Sequence, residues 1–178
     1  TGSRMFSNIP KPFHLISGKP MLKWVIDANK SANIKKCIIV IPKKFEGIEK
    51  ICADFETVIQ ETPLGTGGAL KFATKSVSDE SFIALNGDTY SNLDYAKFFN
   101  ETMNSEFAIA GISIESAERY GSLYFDDDHV LTGITEKGIL GSAVINSGTY
   151  LISKSALTEI EEDVFSFVSL QLSTYLFK

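Results

Sequence analysis

The pattern of apolar and polar positions divides the chain into short alternating elements. Met21, Leu22, Val25 and Ile26 follow Pro20 at the spacing of one helix face, so a helix is expected over 21–28 with that face in the core. Lys36-Cys37-Ile38-Ile39-Val40-Ile41 is a nearly continuous apolar run stopped by Pro42, the pattern of a strand buried on both faces. A short helix is expected over Phe45 to Cys52, then a strand over Thr57 to Gln60, a glycine turn, and a helix over Gly67 to Ser76. Ser81-Phe82-Ile83-Ala84-Leu85 is a second buried strand, followed by a helix over Leu93 to Met103.

The second half changes character. Glu106 to Ile114 alternates partially, as a strand does. Tyr120 to Phe125 and His129 to Leu131 flank Asp126-Asp127-Asp128, which we take as the solvated tip of a hairpin. Further strands are expected at Ile134 to Lys137 and Ala143 to Ile152, with Ser155 capping a short helix and an apolar helix-like segment from Phe165 to Phe177. Arg4 to Pro20 reads as a polar loop punctuated by Pro10, Pro12 and Pro20. Strands alternating with short helices form the rhythm of a parallel sheet covered on both sides, where ligands bind beyond the carboxyl ends of the strands. There are no repeats or low-complexity tracts, and we expect one domain.

Composition narrows the function classes. Lysine and arginine number 17 against 22 acidic residues, and the resulting charge of −5 argues against a general nucleic-acid binder. The two cysteines, Cys37 and Cys52, cannot build a disulfide framework or a zinc site. No run approaches the ~18 apolar residues of a membrane helix, and no signal peptide is visible. These features imply a cytoplasmic protein without nucleic-acid or membrane partners, and they leave a homo-oligomer open.

Candidate chemistry concentrates at three places. In Leu64-Gly65-Thr66-Gly67-Gly68, bare backbone admits either a tight connection or a flat ligand, and the amide of Gln60 beside it suits the edge of a base. Lys11 stands between Pro10 and Pro12, in a rigid extended setting that presents either a surface lysine or a placed cation. Asp88 follows Asn86-Gly87 just past a strand, where a carboxylate serves as a Mg²⁺ ligand or caps a turn. His14 and His129 lack a second ligand-type residue, so neither is assigned a metal.

In order along the chain, Gly2-Ser3-Arg4-Met5, Ile9-Pro10-Lys11-Pro12 and Gly18-Lys19-Pro20-Met21 precede Leu64-Gly65-Thr66-Gly67-Gly68-Ala69 and Leu85-Asn86-Gly87-Asp88-Thr89. Tyr120-Gly121, Glu136-Lys137 and Ile145-Asn146-Ser147-Gly148 follow. Together these pieces resemble the sugar-1-phosphate nucleotidyltransferase (nucleoside-diphosphate-sugar pyrophosphorylase) family. The stretch from Arg4 to Asp27 looks most like its N-acetylglucosamine-1-phosphate uridylyltransferase branch. From Pro63 to Phe167 the likeness is to the heptose 1-phosphate and mannose-1-phosphate guanylyltransferases. The resemblance implies an α/β fold: a Rossmann-like three-layer sandwich with a mostly parallel central sheet, of nucleotide-diphospho-sugar transferase type. It also implies one domain over 1–178, lacking the family's first strand and the C-terminal end that completes the metal site.

The implied reaction is attack of a sugar 1-phosphate on the α-phosphorus of a nucleoside triphosphate, releasing pyrophosphate. By resemblance Arg4 holds the triphosphate, Lys11 bridges the α-phosphate and the sugar phosphate, and Asp88 ligates Mg²⁺. Gly2, Ser3, Gln60, Leu64, Gly65, Thr66, Asn86 and Gly87 would bind the nucleotide, and Gly121, Glu136, Lys137 and Asn146 the sugar. Gln60 suits uracil, whereas Glu61 would suit guanine, so the base is left open. A non-catalytic sugar-nucleotide-binding module is the competing reading. A glycosyltransferase ranks below it, because Asn86-Gly87-Asp88 lacks the first aspartate of an Asp-x-Asp metal site.

Overall fold

A computed structural model of the chain describes residues 9–29, 36–45, 55–135 and 137–161, and the backbone of 175–177. Its contacts fall into two compact units, Thr1–Thr62 with Asn86–Ala96, and Pro63–Leu85 with Lys97–Lys178.

In the first unit the stretch expected as a plain loop carries structure. A 3-10 turn over Lys11–Phe13 leads into strands β1 (Leu15–Ile16) and β2 (Lys19–Pro20), paired antiparallel. Ser17 and Gly18 both take positive φ, 51° and 78°, which is the twist a two-residue hairpin demands. Helix α1 (Met21–Asn29) follows, burying Leu22 and Val25 as its periodicity requires. Phe13 and Leu22 form a small core with Ile26, Ile39 and Phe55 packed on it. Strands β3 (Ile38–Pro42) and β4 (Glu56–Gln60) pair in parallel, Pro42 opposite Gln60. Ile41 is buried while Ile38, Ile39 and Val40 are half-buried, so β3 is less enclosed than its apolar run suggests. The expected helix over Phe45 to Cys52 lies outside the described residues apart from Phe45, which ends a 3-10 turn begun at Lys43.

The second unit is built on one sheet. Its strands are β5 (Ser81–Leu85), β6 (Phe107–Ile114), β7 (Ser122–Phe125), β8 (Leu131–Thr135), β9 (Ala143–Ser153) and β10 (Tyr175–Phe177). The order runs β10-β6-β9-β7-β8, with β5 also on β9. The 11-residue β9 is the hub, because β6 pairs along one edge while β5 and β7 share the other. All three run antiparallel to β9, and β10 is parallel to β6. Four strands therefore share a direction, with β9 and β8 reversed among them. Leu151 and Ile152 toward the C-terminal end of β9 have no exposed surface, nor does Leu157 on α4 (Lys154–Thr158).

Four local expectations change. The helix expected over Gly67 to Ser76 starts two residues earlier: α2 begins at Gly65 and runs to Ala73, extended by a 3-10 turn over Thr74–Ser76. Only Gly65 has positive φ, 72°, so it supplies the bend and the next glycines are free to be helical. The cap of α4 is Ser153, whose hydroxyl accepts from Ala156 N–H, while Ser155 lies inside the helix. Of the expected C-terminal helix, residues up to 174 lie outside the described ones, and Tyr175–Phe177 is strand because it completes the edge beside β6. Helix α3 spans Tyr95–Thr102, shorter at both ends than its pattern. The aspartate tip stands as expected: Asp126 Oδ1 accepts from Asp128 N–H at 3.1 Å and Val130 N–H at 2.8 Å, and all three aspartates are exposed.

Candidate active site

In the first unit, Lys11 and Asp88 meet. Pro10 caps the 3-10 turn and Pro12 lies inside it, so two fixed φ angles hold the lysine backbone. Asn86 to Thr89 form a turn closed by Thr89 N–H to Asn86 O at 3.3 Å. Gly87 lets that turn settle against the lysine loop, because a Cβ there would stand 3.3 Å from Leu22 Cδ1 and 3.5 Å from Pro12 Cγ. Asp88 then turns its carboxylate to Lys11, with Nζ to Oδ2 at 3.9 Å and both side chains about 40% exposed. At that distance the two charges attract without a direct hydrogen bond, and each keeps free coordination sites.

Gln60 ends β4 and is 6% exposed, yet its Nε2 has no hydrogen-bond partner. A buried amide donor left unsatisfied is costly, about 1–3 kcal/mol, and is a reasonable mark of a ligand-facing group. Glu61, next along, is exposed and holds Lys43 at 3.2 Å.

In the second unit, Leu64 precedes α2 and has no side-chain cap, and Gly65 and Thr66 are exposed in the first turn. The sugar candidates are gathered by strand register. Ser122 on β7 lies opposite Thr135 on β8 and opposite Ile145 on β9. Gly121 and Asn146 are the chain neighbours of Ser122 and Ile145, and so stand abreast across β7 and β9. Gly121 is also required by the sheet itself, since a Cβ there would lie 2.7 Å from the Thr135 carbonyl oxygen. Lys137 is exposed, and the loop after it is tied by Gly138 N–H to Glu118 O and Ala117 N–H to Gly141 O, both 3.0 Å.

Asn146 sits in a bulge of β9. Its Oδ1 accepts from Gly148 N–H at 2.7 Å, and its Nδ2 donates to Tyr150 Oη at 2.8 Å. Burial raises the Tyr150 phenol above its ordinary pKa of 10.0, and the Asn146 bond draws it partly back. Tyr150 was read in the sequence only as part of a strand; the signal that singles it out is Asn-Ser-Gly, a turn sequence inside an apolar run. Gly2, Ser3, Arg4 and Glu136 lie outside the described residues. Among the described residues no three histidine, cysteine or acidic side chains cluster as a metal site.

Residues 2–168 match the nucleotidyl transferase family. The chain belongs to that family. Within it, the chain is 32% identical over 177 residues to D-glycero-alpha-D-manno-heptose 1-phosphate guanylyltransferase of Campylobacter jejuni, covering 93% of this chain and 78% of the relative. The bifunctional protein GlmU of Alkaliphilus metalliredigens is 30% identical over 170 residues, covering 89% of this chain and 37% of the relative. The crystal structure of HddC from Yersinia pseudotuberculosis complexed with GMP-PN superposes with a TM-score of 0.89 at 36% identity, over 96% of this chain and 81% of that one. The nucleotidyltransferase chain thus has the α/β, Rossmann-like fold of the nucleotide-diphospho-sugar transferases, and the expected likeness to both the heptose guanylyltransferases and GlmU is met.

Proposed function

We propose that the chain is a single nucleotidyltransferase domain that transfers GMP from GTP to a heptose or hexose 1-phosphate, giving a GDP-sugar and pyrophosphate. The observation that carries this reading is the Lys11–Asp88 pair, a fixed ammonium and an open carboxylate 3.9 Å apart on adjoining turns. A binding module needs no such pair, whereas phosphoryl transfer does.

In the reaction a phosphate oxygen of the sugar 1-phosphate bonds to the α-phosphorus, and the bond from that phosphorus to the β-phosphate bridging oxygen breaks. Lys11 neutralises charge shared between the two phosphates as it grows. Arg4 holds the departing pyrophosphate, with Gly2 and Ser3 beside it. Asp88 suits Mg²⁺, because magnesium takes one or two carboxylates and fills the rest of its shell with phosphate oxygens and water. When bound, that ion neutralises phosphate charge. Gln60, Leu64, Gly65, Thr66, Asn86 and Gly87 receive the nucleotide, while Gly121, Glu136, Lys137 and Asn146 receive the sugar. Among the described residues no helix is long and apolar enough to cross a membrane. We place the reaction in the cytoplasm, supplying activated sugar for cell-surface polysaccharide.

Likeness to the heptose 1-phosphate guanylyltransferase supports GTP. UTP is the second reading, because the Gln60 amide both donates and accepts and so matches O4 and N3–H of uracil equally well. A pyrophosphate-release screen of GTP, UTP, ATP and CTP against heptose, mannose, glucose and N-acetylglucosamine 1-phosphates tests both. Release with GTP and heptose 1-phosphate is expected; release with UTP alone favours the second reading, and none with any pair favours a binding module. Lys11→Ala should abolish release with little change in melting, since an exposed ion pair contributes about 0–1 kcal/mol.

A further inference from the structure

We propose that Tyr150 is a positioning residue of the sugar pocket, its hydroxyl holding the Asn146 amide in the one orientation that meets a sugar hydroxyl. This rests on the reading of Asn146 as a sugar-binding residue. In an unbroken strand, residues four apart stand about 13 Å from each other. Here the backbone advances two residues on β6, from Ile109 to Gly111, while β9 runs four, from Tyr150 to Asn146. Gly148, at φ 74°, makes the excursion possible, and Ser147 Oγ accepts from Thr149 N–H at 3.2 Å inside it. The bulge brings Asn146 Nδ2 within 2.8 Å of Tyr150 Oη.

The two bonds of Asn146 are not interchangeable. Gly148 N–H only donates, so it must face Oδ1. The amino group therefore faces Tyr150, whose oxygen serves as acceptor. A flipped amide would set two donors against each other at Gly148. One hydrogen on Nδ2 and one lone pair on Oδ1 remain, a donor and an acceptor, which is what a sugar hydroxyl takes. The Tyr150 ring is itself buried, 6% exposed in the core cluster that holds Phe107, Ile109, Leu123 and Ile152, so the orientation is inherited from the core. Phenylalanine would fill the space of the ring and lose the acceptor.

The test compares wild type, Tyr150→Phe, Asn146→Ala and the double variant. Pyrophosphate release is measured with GTP fixed and heptose 1-phosphate varied, then the reverse, alongside calorimetric titration with heptose 1-phosphate. Tyr150→Phe should raise the KM and Kd for the sugar phosphate about three- to tenfold, the range of one neutral hydrogen bond, and leave the KM for GTP unchanged. The double variant should be no worse than Asn146→Ala alone. A Tyr150→Phe protein with wild-type sugar affinity beside a weakened Asn146→Ala overturns the proposal and spares the sugar-site reading. Multiplying effects in the double variant, or a GTP KM raised in parallel, also overturn it. If Asn146→Ala itself binds the sugar phosphate normally, the reading of Asn146 falls and the proposal falls with it.

Discussion

Substituting Gly121 by alanine separates a glycine kept for the sheet from one kept for the sugar. The added Cβ would lie 2.7 Å from the carbonyl oxygen of Thr135. A carbon–oxygen contact of that kind settles near 3.3–3.6 Å, so the two backbones must part by roughly 0.6–0.9 Å. Neither is free to do so, because the adjacent Ser122 is in register with Thr135 on one side and Ile145 on the other. Overpacking of this sort costs about 1–3 kcal/mol. For a chain of this size each kcal/mol lowers Tm by about 2–4 °C, so Gly121→Ala should melt roughly 2–12 °C below wild type without ligand. Differential scanning calorimetry measures it, with Gly87→Ala as the control. There the nearest atom is the end of the Leu22 side chain at 3.3 Å, which yields by rotation, and the loss should be smaller. A Gly121→Ala chain within about 1 °C of wild type would refute the steric argument and leave close approach of the sugar as the reason for the glycine.

Two further outcomes follow from buried polar groups. Gln60→Leu removes the unpartnered buried Nε2, so stability should hold or rise by about 1 kcal/mol while the nucleotide KM rises about tenfold; chemical denaturation beside steady-state kinetics checks both, and a destabilised variant with normal nucleotide KM contradicts the assignment. Tyr150 is an acid whose folded pKa is raised above 10.0, first by burial, so its contribution to stability is intact below that pH and is lost as pH climbs toward the folded value. The stability advantage of wild type over Tyr150→Phe in denaturant should therefore be constant from about pH 7 to 9 and shrink above about pH 10, and a constant gap to pH 11 would refute the burial argument.

Much of the candidate site was legible because its cues are local. Pro10 and Pro12 marked Lys11 as rigid but pointed to extended backbone, and the structure instead holds it in a proline-bounded 3-10 turn. Asn86-Gly87-Asp88 after an apolar run marked a turn at the end of Ser81–Leu85, and the strand has those bounds. The face of α1 followed from helical spacing. Other features were hidden. The hairpin at Leu15 to Pro20 is only two residues per strand, too short for alternation to register. The start of α2 at Gly65, two residues ahead of the expected Gly67, was hidden too.

What the sequence determined alone was the alternation of strand and helix, the candidate residues for phosphate chemistry, and through its ordered motifs the family. These rest on φ restrictions and on side chains within four or five positions of one another. Only the tertiary structure decided that β9 runs against β5, β6 and β7, and that Ser122, Thr135 and Ile145 share one row. It also decided that four residues of β9 fold back to join Asn146 to Tyr150. Strand partner and register are choices between segments far apart in the chain, settled by which pairing buries the most apolar surface. Such a sum is taken over the whole core, and no short window of sequence contains it.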